Sequence, residues 1–273
     1  MKDNTIDGII DIHTHAFPDS LAERAIPELE QEAVKAGSDI KAFHSGKVSD
    51  LLRSMDEAGI ERSVICSVAT RPMQFESIFR WSEEIATERI IPFPSFHPED
   101  REFKERIKQV AGDGFKGVKF HPYYQDFYLA EDRMLYIYEA LAEAGLLIVM
   151  HTGFDIAFER ERRCDPKQVV EVCERFPELR LISTHLGAWE DWDEVREHIL
   201  GRPIYMELSF AVETLGQGMK EFLETHPQEY ILFGTDSPWT GQRETLESVR
   251  ELGLDEERLR ALLSGNARRL LGV

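Results

Sequence analysis

Gly8-Ile9-Ile10-Asp11-Ile12-His13-Thr14-His15 is a short apolar run that stops on two histidines. The same kind of ending recurs down the chain. Val118-Lys119-Phe120-His121, Ile148-Val149-Met150-His151, Leu181-Ile182-Ser183-Thr184-His185 and Ile231-Leu232-Phe233-Gly234-Thr235-Asp236 each close on a residue type that ligates metals. Further apolar runs begin near residues 62, 90 and 203. Most intervals between runs are roughly 24 to 33 residues, the size of one strand plus one helix. The runs are continuously apolar, as in strands covered on both faces. Between them, Val48 to Ala58, Ser77 to Thr87, Arg133 to Ala144, Pro166 to Arg175 and Leu215 to Thr225 carry apolar residues at helical spacing. Strands alternating with helices in this way predict an α/β fold, a (β/α)8 TIM barrel. In that barrel the strand C-termini share one face, and that face carries the site.

The chain has 273 residues. Such a barrel needs about 250, so residues 1–273 are expected to form a single domain. The first interval is longer, and its excess lies between Ala16 and Gly46. This insertion after strand 1 holds an acidic, helix-like piece from Asp19 to Ala36. It reads either as a cover for the site or as a surface excursion. The formal net charge is −19, from 51 acidic and 32 basic residues. That sign repels phosphate backbones and argues against a nucleic-acid partner. The three cysteines, Cys66, Cys164 and Cys173, have no paired spacing, so free thiols in a reducing compartment are expected. No basic segment followed by an apolar stretch precedes Gly8, which predicts no leader peptide. No apolar run approaches the roughly 20 residues of a membrane helix. The expectation is a cytoplasmic protein with a small-molecule substrate and no membrane partner, with a homo-oligomer left open.

His13 and His15 are two apart at a strand end, so alternation predicts that both face the barrel lumen. Two imidazoles so placed can share one divalent ion, with Zn–N distances of about 2.0–2.1 Å. His151 is followed by Thr152-Gly153, and His185 by Leu186-Gly187. A glycine just past a strand lets backbone approach a ligand closely. Asp236 stands in Phe233-Gly234-Thr235-Asp236-Ser237-Pro238-Trp239. Alone, each of these three reads as an ordinary hydrogen-bonded polar residue; as an ordered set at strand ends, they read as a site. Lys119 and His121 also share one face of strand 4. Arg71 follows strand 2, and arginine suits a bidentate carboxylate contact. Tyr123, Phe154 and Trp239 follow strands 4, 5 and 8 and could wall a substrate pocket. A surface ion pair for Arg71 and plain packing for the aromatics are the alternative readings. Glu207 on strand 7 reads as structural or as a residue that supports the ligands from behind.

The ordered motifs Asp11-Ile12-His13-Thr14-His15, Gly117-Val118-Lys119-Phe120-His121-Pro122, His151-Thr152-Gly153, Thr184-His185-Leu186-Gly187 and Gly234-Thr235-Asp236-Ser237-Pro238-Trp239 resemble the amidohydrolase superfamily. The subgroup they resemble is its amidohydrolase family 2 branch. The tail Gly265-Asn266-Ala267-Arg268-Arg269-Leu270-Leu271 is similar to that family's closing helix. The resemblance spans essentially the whole chain. It implies a metal-dependent TIM-barrel enzyme in which His13, His15, His151 and Asp236 hold one divalent ion. Zinc is the first expectation, with manganese or iron(II) as alternatives. It implies that His185 contacts the reactive water or substrate, and that Asp236 accepts a proton from a metal-activated water. For Lys119 it leaves three readings: a carbamylated bridge between two metals, a lysine paired with an acid, or a contact to substrate oxygen, which His121 could also make. The expected reaction is hydrolysis of an amide, lactone or related C–N or C–O bond. The alternative is non-oxidative decarboxylation or hydration of an aromatic or unsaturated carboxylic acid. A non-catalytic metal-binding protein is disfavoured, because Asp236 and His185 both stand beside the ligands as acid–base groups. The cationic residues Arg71, Lys119 and His121 suggest an anionic substrate.

Overall fold

The computed structural model of the protein describes residues 6–273. The expectation of no leader peptide rests partly on residues 1–5, which lie outside them. Eight strands follow in order: β1 (Ile9–Thr14), β2 (Ile60–Cys66), β3 (Ile90–Phe93), β4 (Gly117–Phe120), β5 (Leu147–Met150), β6 (Arg180–Ser183), β7 (Tyr205–Glu207) and β8 (Ile231–Leu232). All named pairings are parallel and sequential, in the runs β1-β2-β3 and β4 through β8. Backbone bonds just past the strand ends join the two runs. Lys119 N donates to Pro94 O at 3.1 Å, while Ile12 N donates to Phe233 O at 2.9 Å and Asp236 N to His13 O at 2.7 Å. The sheet thereby closes on itself as a TIM barrel.

The helices are α1 (Asp19–Lys35), α2 (Val48–Ala58), α3 (Phe75–Ile85), α4 (Phe103–Gly112), α5 (Asp132–Glu143), α6 (Pro166–Arg175), α7 (Trp192–His198), α8 (Ala211–Leu215), α9 (Met219–Thr225), α10 (Gln242–Glu251), α11 (Glu256–Arg260) and α12 (Asn266–Leu271). Local chemistry sets their ends. Asp165 and Gln168 form a capping box around Pro166 at the start of α6. Gly59 stops α2 at φ 73°, a left-handed turn that glycine adopts without Cβ strain. The helix expected over Leu215 to Thr225 is broken. Gly216 at φ 50° ends α8, and a short 3-10 turn over Gly216–Gly218 separates it from α9. Among the described residues no helix is long and apolar enough to cross a membrane.

Two apolar layers hold the barrel. Ile10, Ile12, Val64, Phe93, Leu147, Val149, Ile182 and Leu232 fill the lumen, with Ala267, Leu270 and Leu271 of α12 packed against them. The opposite strand faces, including Ile9, Ile65, Val118, Ile148 and Leu181, pack against the helices. The upper lumen is polar, and the site begins there.

Candidate active site

β1 delivers its histidines through a kink rather than by plain alternation. Ile10 and Ile12 already occupy the lumen, so regular pleating would turn His13 outward. The register with β2 slips between Asp11 and Thr14, where three steps on β1 match two on β2. Such a bulge re-aims side chains at a barrel rim. Buried Asp11 holds it, accepting from His13 N at 3.2 Å, Thr235 N at 3.1 Å, Thr235 Oγ1 at 2.6 Å and Gln242 Nε2 at 2.8 Å. Burial pushes the Asp11 carboxyl up to about 7, against these four donors.

The far nitrogen of each of four imidazoles is committed to an oxygen acceptor. His13 Nδ1 lies 3.1 Å from Glu207 Oε1, and His15 Nδ1 lies 2.7 Å from Cys66 O. His151 Nε2 lies 3.0 Å from Phe154 O, and His185 Nδ1 lies 3.2 Å from Ser209 O. Carboxylates and carbonyls only accept, so these nitrogens carry the protons and the opposite nitrogens carry lone pairs. The lone pairs meet. His13 Nε2 is 3.1 Å from His15 Nε2, and His151 Nδ1 is 3.1 Å from His185 Nε2. Asp236 Oδ1 adds a third acceptor, 2.9 Å from His15 Nε2 and 3.3 Å from His13 Nε2. That oxygen is buried and has no donor among the described residues. Acceptors crowded together repel unless a cation lies between them, so the donor set fits a divalent metal.

The protonation states agree. Burial holds His13 and His121 well below the ordinary imidazole range, helped by the nearby Lys119 charge, and burial with His121 and His185 does the same for His151. Burial brings His185 down to about 4. Burial alone would raise Asp236, but its neighbours His15, His185 and Lys119 together hold it below the usual carboxylate value. Neutral imidazole and ionised carboxylate are the ligating forms.

The ligand atoms of His13, His15 and Asp236 lie within 4.8 Å of one another, and so do those of His121, His151 and Asp155. His151 thus stands in the second group and reaches the first side of the site through His185. The His121 and His151 rings stack at 4.0 Å with 13° between planes. Lys119 is fully buried, with Nζ 3.0 Å from His13 Nε2. Asp155 carries no motif and was not foreseen. Its Oδ1 accepts from Ala157 N at 2.8 Å, and its Oδ2 lies 3.3 Å from His121 Nε2 and 3.7 Å from His151 Nε2. Of the two readings of Glu207, the contacts fit the one behind the ligands: both its oxygens are engaged by His13, His185 N and Ser209.

The expected substrate contacts divide. The Tyr123 hydroxyl is committed to the backbone carbonyls of Gly153 and Glu161. The Phe154 ring lies under the Arg160 guanidinium at 3.9 Å. Trp239 lines a cavity of about 440 Å³ with Phe43, Phe210 and Val212. Phe43 belongs to the insertion, which docks on the loop after β8 through Phe43 N to Pro238 O at 2.7 Å and His44 Nε2 to Ser237 Oγ at 2.9 Å. Arg71 is exposed at the start of the 3-10 turn Pro72–Gln74, with no ion-pair partner among the described residues. The glycines after β5 and β6 admit protein rather than ligand: a Cβ on Gly153 would meet Trp189 N at 2.0 Å, and one on Gly187 would meet Met206 Sδ at 2.8 Å. His185, Leu186, Phe210 and Asp236 all hold φ between 55° and 61°. Non-glycine residues so strained concentrate at functional sites.

Comparison with known proteins follows the same lines. The amidohydrolase family model matches residues 10–273. No curated protein matches the chain. An uncharacterised TIM-barrel protein of Bordetella bronchiseptica shares 19% identity over 97% of this chain and 98% of that one, with a TM-score of 0.71. The 5-carboxyvanillate decarboxylase of Novosphingobium aromaticivorans was solved with bound manganese and 3-methoxy-4-hydroxy-5-nitrobenzoic acid. It shares 12% identity over 100% and 99% of the two chains, with a TM-score of 0.70. The 2,6-dihydroxybenzoate decarboxylase from Rhizobium shares 15% over 97% and 99%, with a TM-score of 0.67. At such identities the likeness is one of fold.

Proposed function

The chain belongs to the amidohydrolase family, and on that premise we propose that it is a metal-dependent enzyme that decarboxylates an aromatic or unsaturated carboxylic acid without a redox cofactor. The observation that carries this reading is Lys119. Its ammonium is fully buried, yet no carboxylate lies within ion-pair distance of it among the described residues. A buried cation is stable when paired, and a substrate carboxylate would pair it. Sequence alone put hydrolysis first; the aromatic-acid decarboxylases among the fold neighbours support the opposite order.

His13, His15 and Asp236, joined by His151, would hold one divalent ion, with zinc first and manganese or iron(II) as alternatives. When bound, the ion supplies a Lewis-acid centre against a substrate oxygen. Lys119 holds the carboxylate. The C–C bond to the carboxylate breaks, CO2 leaves, and the electron pair stays on the ring carbon. That carbon takes a proton drawn from solvent; His185 Nε2, a lone-pair acceptor at rest, picks it up and relays it, with His121 nearby. The barrel is proposed to act as one domain, in a reducing cytoplasmic setting.

Hydrolysis of an amide or lactone is the second reading. Asp236 Oδ1 favours it, as an ionised acceptor with no donor of its own, able to take a proton from an attacking water. One experiment separates the two. Metal-analysed protein is incubated with a panel of aromatic and unsaturated acids and with lactones and amides of similar shape, with and without chelator. CO2 release from acids, lost on chelation, is the expected result. Turnover of neutral lactones or amides with no CO2 from any acid would transfer the assignment to hydrolysis.

A further inference from the structure

Glu207 ends β7 and is fully buried. Its Oε1 faces three donors: His13 Nδ1 at 3.1 Å, His185 N at 3.0 Å and Ser209 Oγ at 2.7 Å. Its Oε2 accepts from Ser209 N at 2.8 Å. Ser209 Oγ in turn lies 2.9 Å from His185 Nδ1. A hydroxyl has one proton and here gives it to Glu207, so it accepts from His185 Nδ1–H. His185 Nδ1–H, shared between Ser209 Oγ and the Ser209 carbonyl, thus connects through Ser209 Oγ–H to the Glu207 carboxylate, which also receives His13 Nδ1–H. The fold makes room for it. A Cβ on Gly234 would lie 2.2 Å from Glu207 Oε2, so the segment just past β8 carries glycine where the carboxylate must fit.

We propose that Glu207 is a positioning residue for two histidines at once, fixing His13 as an Nε2 metal ligand directly and His185 as an Nε2 proton carrier through Ser209. The proposal rests on the metal reading above and is independent of substrate. A single carboxylate then makes metal binding and acid–base chemistry mutually dependent.

The test uses zinc affinity, read by chelator competition, and the nitrogen-15 histidine spectrum of the folded, metal-free protein. Neither readout needs a substrate, so failure here is distinct from failure of the decarboxylase reading. In the wild type, His13 and His185 should each show one tautomer, with Nδ1 protonated. Glu207→Gln should lower zinc affinity about 10- to 100-fold and mix the tautomers of both rings. Ser209→Ala should leave zinc affinity near wild type and alter the His185 signals more than those of His13, which Ser209 Oγ approaches only at 3.4 Å, and Ser209→Thr should restore them. Wild-type affinity in Glu207→Gln overturns the proposal. So does a Ser209→Ala loss of zinc equal to that of Glu207→Gln, or an unchanged His185 spectrum in both variants. If Glu207→Gln does not fold, the wild-type spectrum and Ser209→Ala decide: a mixed tautomer at either ring in the wild type overturns it.

Discussion

Lys119 and the histidines make separable demands on the site. Lys119 is an ammonium with no carboxylate beside it, and burial lowers its proton affinity. If it pairs a substrate carboxylate, Lys119→Met removes a charged hydrogen bond of about 1.5–3 kcal/mol. The KM for the acid should rise roughly 10- to 150-fold with metal content unchanged. Loss of metal in Lys119→Met, with extra mass on the wild-type lysine, would instead mark it as a carbamylated ligand. The histidines divide differently. His13 Nε2 faces His15 Nε2 and Asp236 Oδ1, so His13→Ala should lose both metal and activity. His185 should behave as a proton carrier: His185→Ala keeps most of the metal and loses about 10²–10⁴ in rate. Equal metal loss in the two variants would make His185 a ligand. His13, His15, His185 and Asp236 were legible because each ends an apolar run. Glu207 meets His13 across 194 positions, a contact that no local spacing encodes. Asp155 was hidden for a related reason, as its importance lies in stacked rings brought from two strands.

The loops after β5 and β6 are locked as one element. Gly153 at φ 90° lets the Trp189 backbone close in, and Trp189 N bonds Thr152 O at 3.0 Å while Phe154 N bonds Trp189 O at 3.0 Å. Phe154 O is also the acceptor that orients His151. Gly153→Ala brings a Cβ into that backbone and strains a left-handed turn. It should cost roughly 2–4 kcal/mol in urea unfolding and weaken metal binding through His151. A change under about 0.5 kcal/mol would mean the loops can part freely. At this scale the sequence was informative wherever structure follows period. The expected strand starts fall within two residues of the observed ones, and Val48–Ala58 and Pro166–Arg175 match their helices. It misled where one local feature overrode the period. Gly216 broke the helix after β7, and the β1 bulge was invisible because Asp11 is tied to Thr235, 224 positions away.

Across the whole molecule, the site places several neutral histidines inside a closed barrel, and stability must therefore depend on pH. Burial holds His13, His121, His151, His185 and His226 below the ordinary value of 6.5. Below about pH 6.5 the unfolded chain protonates these residues and the folded chain does not, so stability falls as pH falls. Asp11 and Glu207 act in the opposite sense. Their folded values near 7 exceed the unfolded 3.8 and 4.5, so the folded state holds extra protons between those limits and gains stability as pH drops through that window. Burial also raises Asp155, Asp191 and Glu213 and lowers His44 and His97, so seven histidines stand against five carboxyls. Each uncompensated proton is worth about 1.4 kcal/mol per pH unit, and the metal-free protein should lose stability steadily from pH 6.5 toward 5. Metal sharpens the effect, because protons and cation compete for the same nitrogens. At pH 7.5 a saturating divalent ion should raise Tm by linkage, about 4 kcal/mol at a thousandfold excess over Kd. The increment should shrink at pH 5.5 and vanish with chelator. Calorimetry at pH 7.5, 6.5 and 5.5, with and without metal, measures both terms. A metal-free Tm that does not fall toward pH 5.5 would refute the buried neutral histidines, and a metal increment equal at all three pH values would place the ion away from them.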